Sequence, residues 1–82
     1  MRMSDLVVNQ KAKVSKINLP KELERRLLDL GLVENTTVEC ILIGSNKRIK
    51  AYDFKGTLIA LRNEYSSRIK VVLFNEEDTI SR

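Results

Sequence analysis

After Thr36 no connection in this chain is long enough to hold a crossover helix, which excludes a parallel sheet built of βαβ units. Short β-rich runs succeed one another instead. Thr36–Ile43 is crowded with β-branched residues and sets Val38, Cys40 and Leu42 on one side. The cluster Gly44-Ser45-Asn46-Lys47 reads as a turn, after which Arg48–Phe54 resumes the alternation. Lys55-Gly56 predicts a tight turn with Gly56 at positive φ, returning the chain into a strand over Thr57–Arg62. One helical turn over residues 63–67 leads to Arg68–Phe74, where Ile69, Val71 and Leu73 share a face. Upstream, Lys11–Ile17 alternates with Ala12 and Val14 inward; Ile17 breaks that parity, so a bulge or strand end is expected near Ser15.

Between the first strand and the others lies one substantial helix, Pro20–Leu30. Leu23, Leu27 and Leu30 recur at helical spacing and stack on one face, which Leu28 widens. Pro20 suits the first helical position, where a missing N–H costs nothing. Gly31 stands where a left-handed cap is wanted, and Leu32 can fold back onto Leu27 in a Schellman ending. A helix of about 11 residues is marginal alone in water, so its leucines must dock on the strands. The expected fold is mainly β: a small barrel of about five antiparallel strands, with one α-helix inserted after the first strand and plugging the core. Residues 1–74 are expected to form a single domain and residues 75–82 an acidic, flexible tail.

The 82 residues carry a net charge of +4. Glu76, Glu77 and Asp78 against Arg82 alone make the tail acidic, so the basic excess sits in the body. Such a body suits nucleic acid, an acidic protein surface or anionic headgroups, although net charge by itself reads first as a device for solubility. No apolar run reaches the length of a membrane helix, and Leu6-Val7-Val8 is too short for a secretion segment. One cysteine cannot form an internal disulfide, and a cytoplasmic protein is expected.

There is no histidine, which removes the commonest general base at neutral pH and the commonest transition-metal ligand. Cys40 therefore has no histidine to activate it, and its place in an apolar strand favours a buried structural thiol. Gly31, Gly44 and Gly56 are solitary and build no phosphate loop. Glu22, Glu24 and Asp29 stand among Arg25 and Arg26, which reads as a solvated, salt-bridged helix face rather than a metal site. Neither catalytic residues nor a cofactor nor a metal is expected. What remains is a binding module.

Two binding chemistries are open to it. Lys11, Lys13 and Lys16 on one strand and Lys47, Arg48 and Lys50 on another could form a basic stripe for nucleic acid, with Tyr52 and Phe54 in register with Lys50. Packing inside the barrel is the favoured reading of those two aromatics. Alternatively, a groove beside the strands could accept a peptide, with Tyr52, Phe54 and Tyr65 lining it.

The order Arg26-Leu27-Leu28-Asp29-Leu30-Gly31-Leu32, Thr37-Val38-Glu39, Gly56-Thr57-Leu58-Ile59-Ala60-Leu61-Arg62 and Arg68-Ile69-Lys70-Val71 resembles the FeoA family across about residues 5–73. The family's usual second glycine beyond the helix cap is absent from Val33-Glu34-Asn35-Thr36, where Asn35 is the residue best able to adopt a left-handed conformation. The resemblance implies an SH3-like barrel and a cytoplasmic, non-enzymatic accessory protein of bacterial ferrous-iron uptake. It also implies a partner, the FeoB transporter, whose nucleotide cycle or assembly such a protein would modulate. The partner surface is expected on the polar side of the helix, at Lys21, Glu24 and Arg25, with Tyr52 beside them; a basic barrel that binds nucleic acid is the alternative.

Overall fold

The computed structural model describes residues 1–73, so Phe74 and the expected acidic tail lie outside the described residues. Five antiparallel strands form one sheet in the order β4-β3-β2-β1-β5. They are β1 (Lys11–Ile17), β2 (Thr37–Ile43), β3 (Ile49–Phe54), β4 (Thr57–Arg62) and β5 (Ile69–Leu73). Helix α1 (Lys21–Leu30) follows β1, and a single turn, α2 (Asn63–Ser66), joins β4 to β5. The inward residues Ala12, Val14, Val38, Cys40, Tyr52, Phe54, Leu61, Ile69 and Val71 make one continuous core. The mainly β architecture with its inserted helix is the one expected.

Local chemistry explains the turns. Lys55 and Gly56 both have positive φ, 53° and 80°, as the twist of a two-residue hairpin requires. Asn35 adopts φ 75°, which lets its amide donate to Val14 O at 2.7 Å and lead the chain back beside β1. Thr36 closes the same corner: its hydroxyl donates to Gly31 O at 3.2 Å and accepts from Val33 N at 3.0 Å.

Two register shifts set which residues face inward. In β1 the pairing with β5 slips between Val14 and Lys16, so Val14 and Ile17 both reach the core side. This is the bulge expected at Ser15. In β2 the pairing with β3 slips between Cys40 and Leu42. The extra residue reverses the parity, so Leu42, expected inside with Val38 and Cys40, stands 62% exposed while Ile43 packs on the core. Leu73, expected to share the buried face of Ile69 and Val71, is also exposed at the end of β5.

The helix differs from expectation in what it buries. Gly31 has φ 106°; its N–H donates to Leu28 O and that of Leu32 to Leu27 O, each at 2.9 Å, which completes the Schellman ending. Pro20 is the cap residue with extended ψ 145°, one place before the first helical residue rather than in it. Leu27 is buried and Leu23 half-buried, but Leu28 and Leu30 are 52% and 43% exposed. The reversal at Gly31 carries Leu32 into the core at the helix end, and Leu32 rather than Leu30 becomes the buried partner of Leu27.

The N-terminus supplies a second part of the plug. Met3–Asp5 forms a 3-10 turn whose N–H groups at Asp5 and Leu6 donate to Arg2 O and Met3 O at 2.9 and 3.2 Å. Met3 and Leu6 are fully buried. Each contributes about 1.5–3 kcal/mol of apolar burial, comparable to any strand residue. Two inward side chains of β3 hold this turn: Lys50 Nζ donates to Ser4 O at 2.5 Å and Leu6 O at 2.9 Å, and Tyr52 OH donates to Met3 O at 3.4 Å.

Candidate partner-binding surface

Lys21, Glu24 and Arg25 follow one another at helical spacing, so α1 presents them on one side, away from Leu27. All three are exposed, and with Glu22 and Leu28 they line an open groove of about 520 Å³. A second notch of about 150 Å³ is lined by Ile17, Glu24, Leu28, Leu32, Val33 and Glu34. Glu24 and Leu28 belong to both, so they form the ridge between the two depressions. The structure therefore brings three of the four expected site residues together. Among the described residues none of the three is in a salt bridge.

Tyr52 is the exception and is a correction. It is fully buried, its ring is pushed away from ionisation by that burial, and its hydroxyl is committed to Met3 O, so it presents nothing to a partner. Phe54 is likewise inside, the favoured reading of both aromatics. Leu28, expected to widen the buried stripe, belongs to this surface instead. The signal was present: Leu28 follows Lys21, Glu24 and Arg25 at spacings of seven, four and three, which puts it on their face as readily as on the inner one.

Comparison with known proteins decides the lineage. The FeoA domain model matches residues 1–73. The chain belongs to the FeoA family. No curated protein matches it. Among solved structures, FeoA from Chlorobium tepidum is 24% identical, with 92% of this chain and 71% of that chain covered, at a TM-score of 0.87. FeoA from Stenotrophomonas maltophilia in complex with zinc, described as a procaryotic SH3 domain protein, is 25% identical, with 87% and 88% covered and a TM-score of 0.74. A manganese-dependent transcriptional repressor shares the fold at 11% identity and TM-score 0.79, with 90% of this chain covering 41% of that one.

Against the FeoA fold, the other candidate chemistry falls into place. Lys50 is turned inward onto backbone carbonyls and so leaves the expected basic stripe. Lys13 pairs with Thr37 at the start of β2, whereas Lys47 and Arg48 follow the end of β2; Lys16 and Lys47 thus lie toward opposite ends of the sheet. The basic residues do not form one continuous track. Cys40 is fully buried, and burial raises its thiol above the ordinary value, which suppresses the nucleophilic thiolate. Asp5 accepts from the Arg2 backbone N–H at 3.1 Å and from its guanidinium at 3.3 Å, and those bonds lower its carboxyl pKa. Among the described residues no group of three His, Cys, Asp or Glu side chains could hold a metal ion, and no helix is long and apolar enough to cross a membrane.

Proposed function

We propose that this chain is a non-enzymatic accessory protein of bacterial ferrous-iron uptake, docking on the cytoplasmic GTP-binding domain of the FeoB transporter through the outer face of α1. Family membership supplies the transport context. The observation that carries the docking surface is Leu28, 52% exposed at the centre of Lys21, Glu24 and Arg25. An apolar centre with a charged rim is the anatomy of a protein interface. The protein acts in the cytoplasm and reaches the membrane only through its partner. Docking there modulates the partner's nucleotide cycle or its assembly.

The test is isothermal titration of the chain against that GTP-binding domain, with its GTP hydrolysis rate followed in parallel. Leu28→Ala and Arg25→Glu should each weaken binding by about tenfold or more while leaving the melting temperature within the range of surface substitutions. Unchanged binding in both variants refutes the helix face. Binding of single-stranded nucleic acid with a steep salt dependence, without binding of the transporter domain, replaces the function altogether.

A further inference from the structure

Of the two edges of the sheet, the N-terminus covers one. Along β5, Arg2 bridges to Lys70 and the Val71 N–H donates to Met1 O at 2.7 Å. The other edge is β4. Lys55-Gly56 is a two-residue turn, so Phe54 and Thr57 exchange hydrogen bonds across it. The alternation then makes Tyr52 with Ile59 and Lys50 with Leu61 the next such pairs. The N–H groups of Leu58, Ala60 and Arg62, and the C=O groups of Leu58 and Ala60, therefore point away from β3. Among the described residues nothing outside the β3–β4 ladder bonds to any of these five groups. Leu58, Ala60 and Arg62 are all exposed, Leu58 by 61%. Edge strands are ordinarily blunted by a proline, a bulge or an inserted charge. Thr57-Leu58-Ile59-Ala60-Leu61 has none of these.

The outer face beside this edge is complementary to itself. One row across the sheet runs Lys11, Glu39, Asp53, Leu58, and the next runs Leu42, Ala51, Ala60. Glu39 has Lys11 beside it, but Asp53 stands between the like-charged Glu39 and an apolar residue, an unfavourable placement. Arg62 lies on the other side of Ala60, and neither it nor Asp53 is in an ion pair among the described residues. We propose that β4 pairs antiparallel with β4 of a second copy of this chain, about a two-fold axis through Ala60. Ala60 exchanges both main-chain hydrogen bonds with its counterpart, and each Arg62 N–H donates to the other copy's Leu58 O. Each Arg62 then stands opposite the other copy's Leu58, with that copy's Asp53 one strand further on. The Cα atoms are about 10 Å apart, a gap the two side chains span together. The rows Leu42, Ala51 and Ala60 of both copies join into one apolar strip between the two ion pairs. Charge fixes this register. A slide of two residues one way sets the two Arg62 about 7 Å apart along the strands, and the other way sets each beside the other copy's Lys55-Gly56 turn. With Ala60 on the axis the arginines are about 14 Å apart. Two six-residue strands bury less than a standard interface, so the dimer is weak.

The test is sedimentation equilibrium of the full chain over roughly 20 μM to 1 mM, with amide hydrogen exchange read at both ends of that range. The mass should rise toward that of two chains, and the Ala60 and Arg62 amides should gain protection with concentration. Ala60→Glu sets two carboxylates face to face on the axis and should leave a folded monomer throughout, with an unchanged melting temperature at the low concentration. Arg62→Glu should weaken association by at least about tenfold, and Asp53→Arg added to it should recover the dimer. A monomer at the highest concentration overturns the proposal. So does a dimer that survives Ala60→Glu, a charge swap that recovers nothing, or a dimer lost in Leu28→Ala, which places the contact on α1. Equal Ala60 protection at both concentrations means that the chain covers its own edge, and protection gained only on adding the transporter's GTP-binding domain assigns the edge to that partner. Either result overturns the second copy. The docking proposed for α1 is tested separately and does not depend on the outcome.

Discussion

Replacing Lys50 by methionine isolates the contact that fastens the N-terminal turn to the barrel. The substitution keeps an unbranched side chain of similar length, so the apolar packing of the stem along β3 is retained. It removes two charge-assisted hydrogen bonds, to Ser4 O and Leu6 O. Each carbonyl left without its donor costs about 1–3 kcal/mol. Against this, the wild-type chain bears the cost of holding an ammonium in a residue only 9% exposed, and the methionine does not. The orphaned carbonyls outweigh the relieved desolvation because the backbone of the 3-10 turn holds them in place and leaves little freedom to seek water. The net loss should be about 1–3 kcal/mol, against a total of roughly 4–12 kcal/mol for a domain of this size. In a thermal melt that is a fall of roughly 5–20 °C. Hydrogen exchange gives the local reading: the amides of Asp5 and Leu6, and that of Val71 on Met1 O, should lose protection before those of β2 and β3. A variant as stable as the wild type, with the Leu6 amide equally protected, would refute the claim that Lys50 fastens the turn.

Three further outcomes follow from the same packing. Leu27→Ala should cost about 2–5 kcal/mol in a denaturant melt, whereas Leu30→Ala at the same helical face should cost well under half of that, since only Leu27 is buried. Gly31→Ala should destabilise by about 1–2 kcal/mol through backbone strain at φ 106°, because the added methyl meets only the Lys55 side chain at 3.4 Å and so has room. Cys40 and Tyr52 are both raised by burial, so the stability they contribute is complete below their unfolded pKa values and is lost as pH climbs past them; denaturant midpoints should begin to fall above about pH 8.5, and the Cys40 thiol should resist a thiol reagent until the chain unfolds.

The strands, the hairpin turn, the helix and its cap were legible because each depends on residues adjacent in sequence. Lys55-Gly56, Gly31-Leu32 and the parity break at Ile17 are local signals, and the structure places a turn, a Schellman cap and a bulge there. The second bulge was not legible. Ile41 and Leu42 are both apolar, so nothing in Cys40-Ile41-Leu42-Ile43 says which one the chain will leave out of register. The 3-10 turn was missed for a different reason: three residues give no period to detect, and Leu6 opens the short apolar run Leu6-Val7-Val8, of which Leu6 alone turns inward. Of the candidate site, the polar row of α1 was readable from spacing; Leu28 shares that spacing but lies at the margin of both helical faces, so spacing alone did not choose between them.

Tyr52 shows how the missed turn propagated into the site. Alternation along β3 says that Lys50, Tyr52 and Phe54 share a face; it does not say whether that face is inside. The opposite face, Ile49, Ala51 and Asp53, has the same mixture of apolar and charged groups, so hydropathy leaves the choice open. What decides it is a segment 44 to 49 residues upstream, whose main-chain oxygens at Met3, Ser4 and Leu6 supply acceptors for the polar ends of the Lys50 and Tyr52 side chains. With those acceptors in place, a lysine donating twice and a tyrosine donating once can stand at the end of an apolar core. The register of β3 and the docking of the N-terminus are thus one decision, and the loss of that docking should loosen the seating of β3 before it disturbs α1.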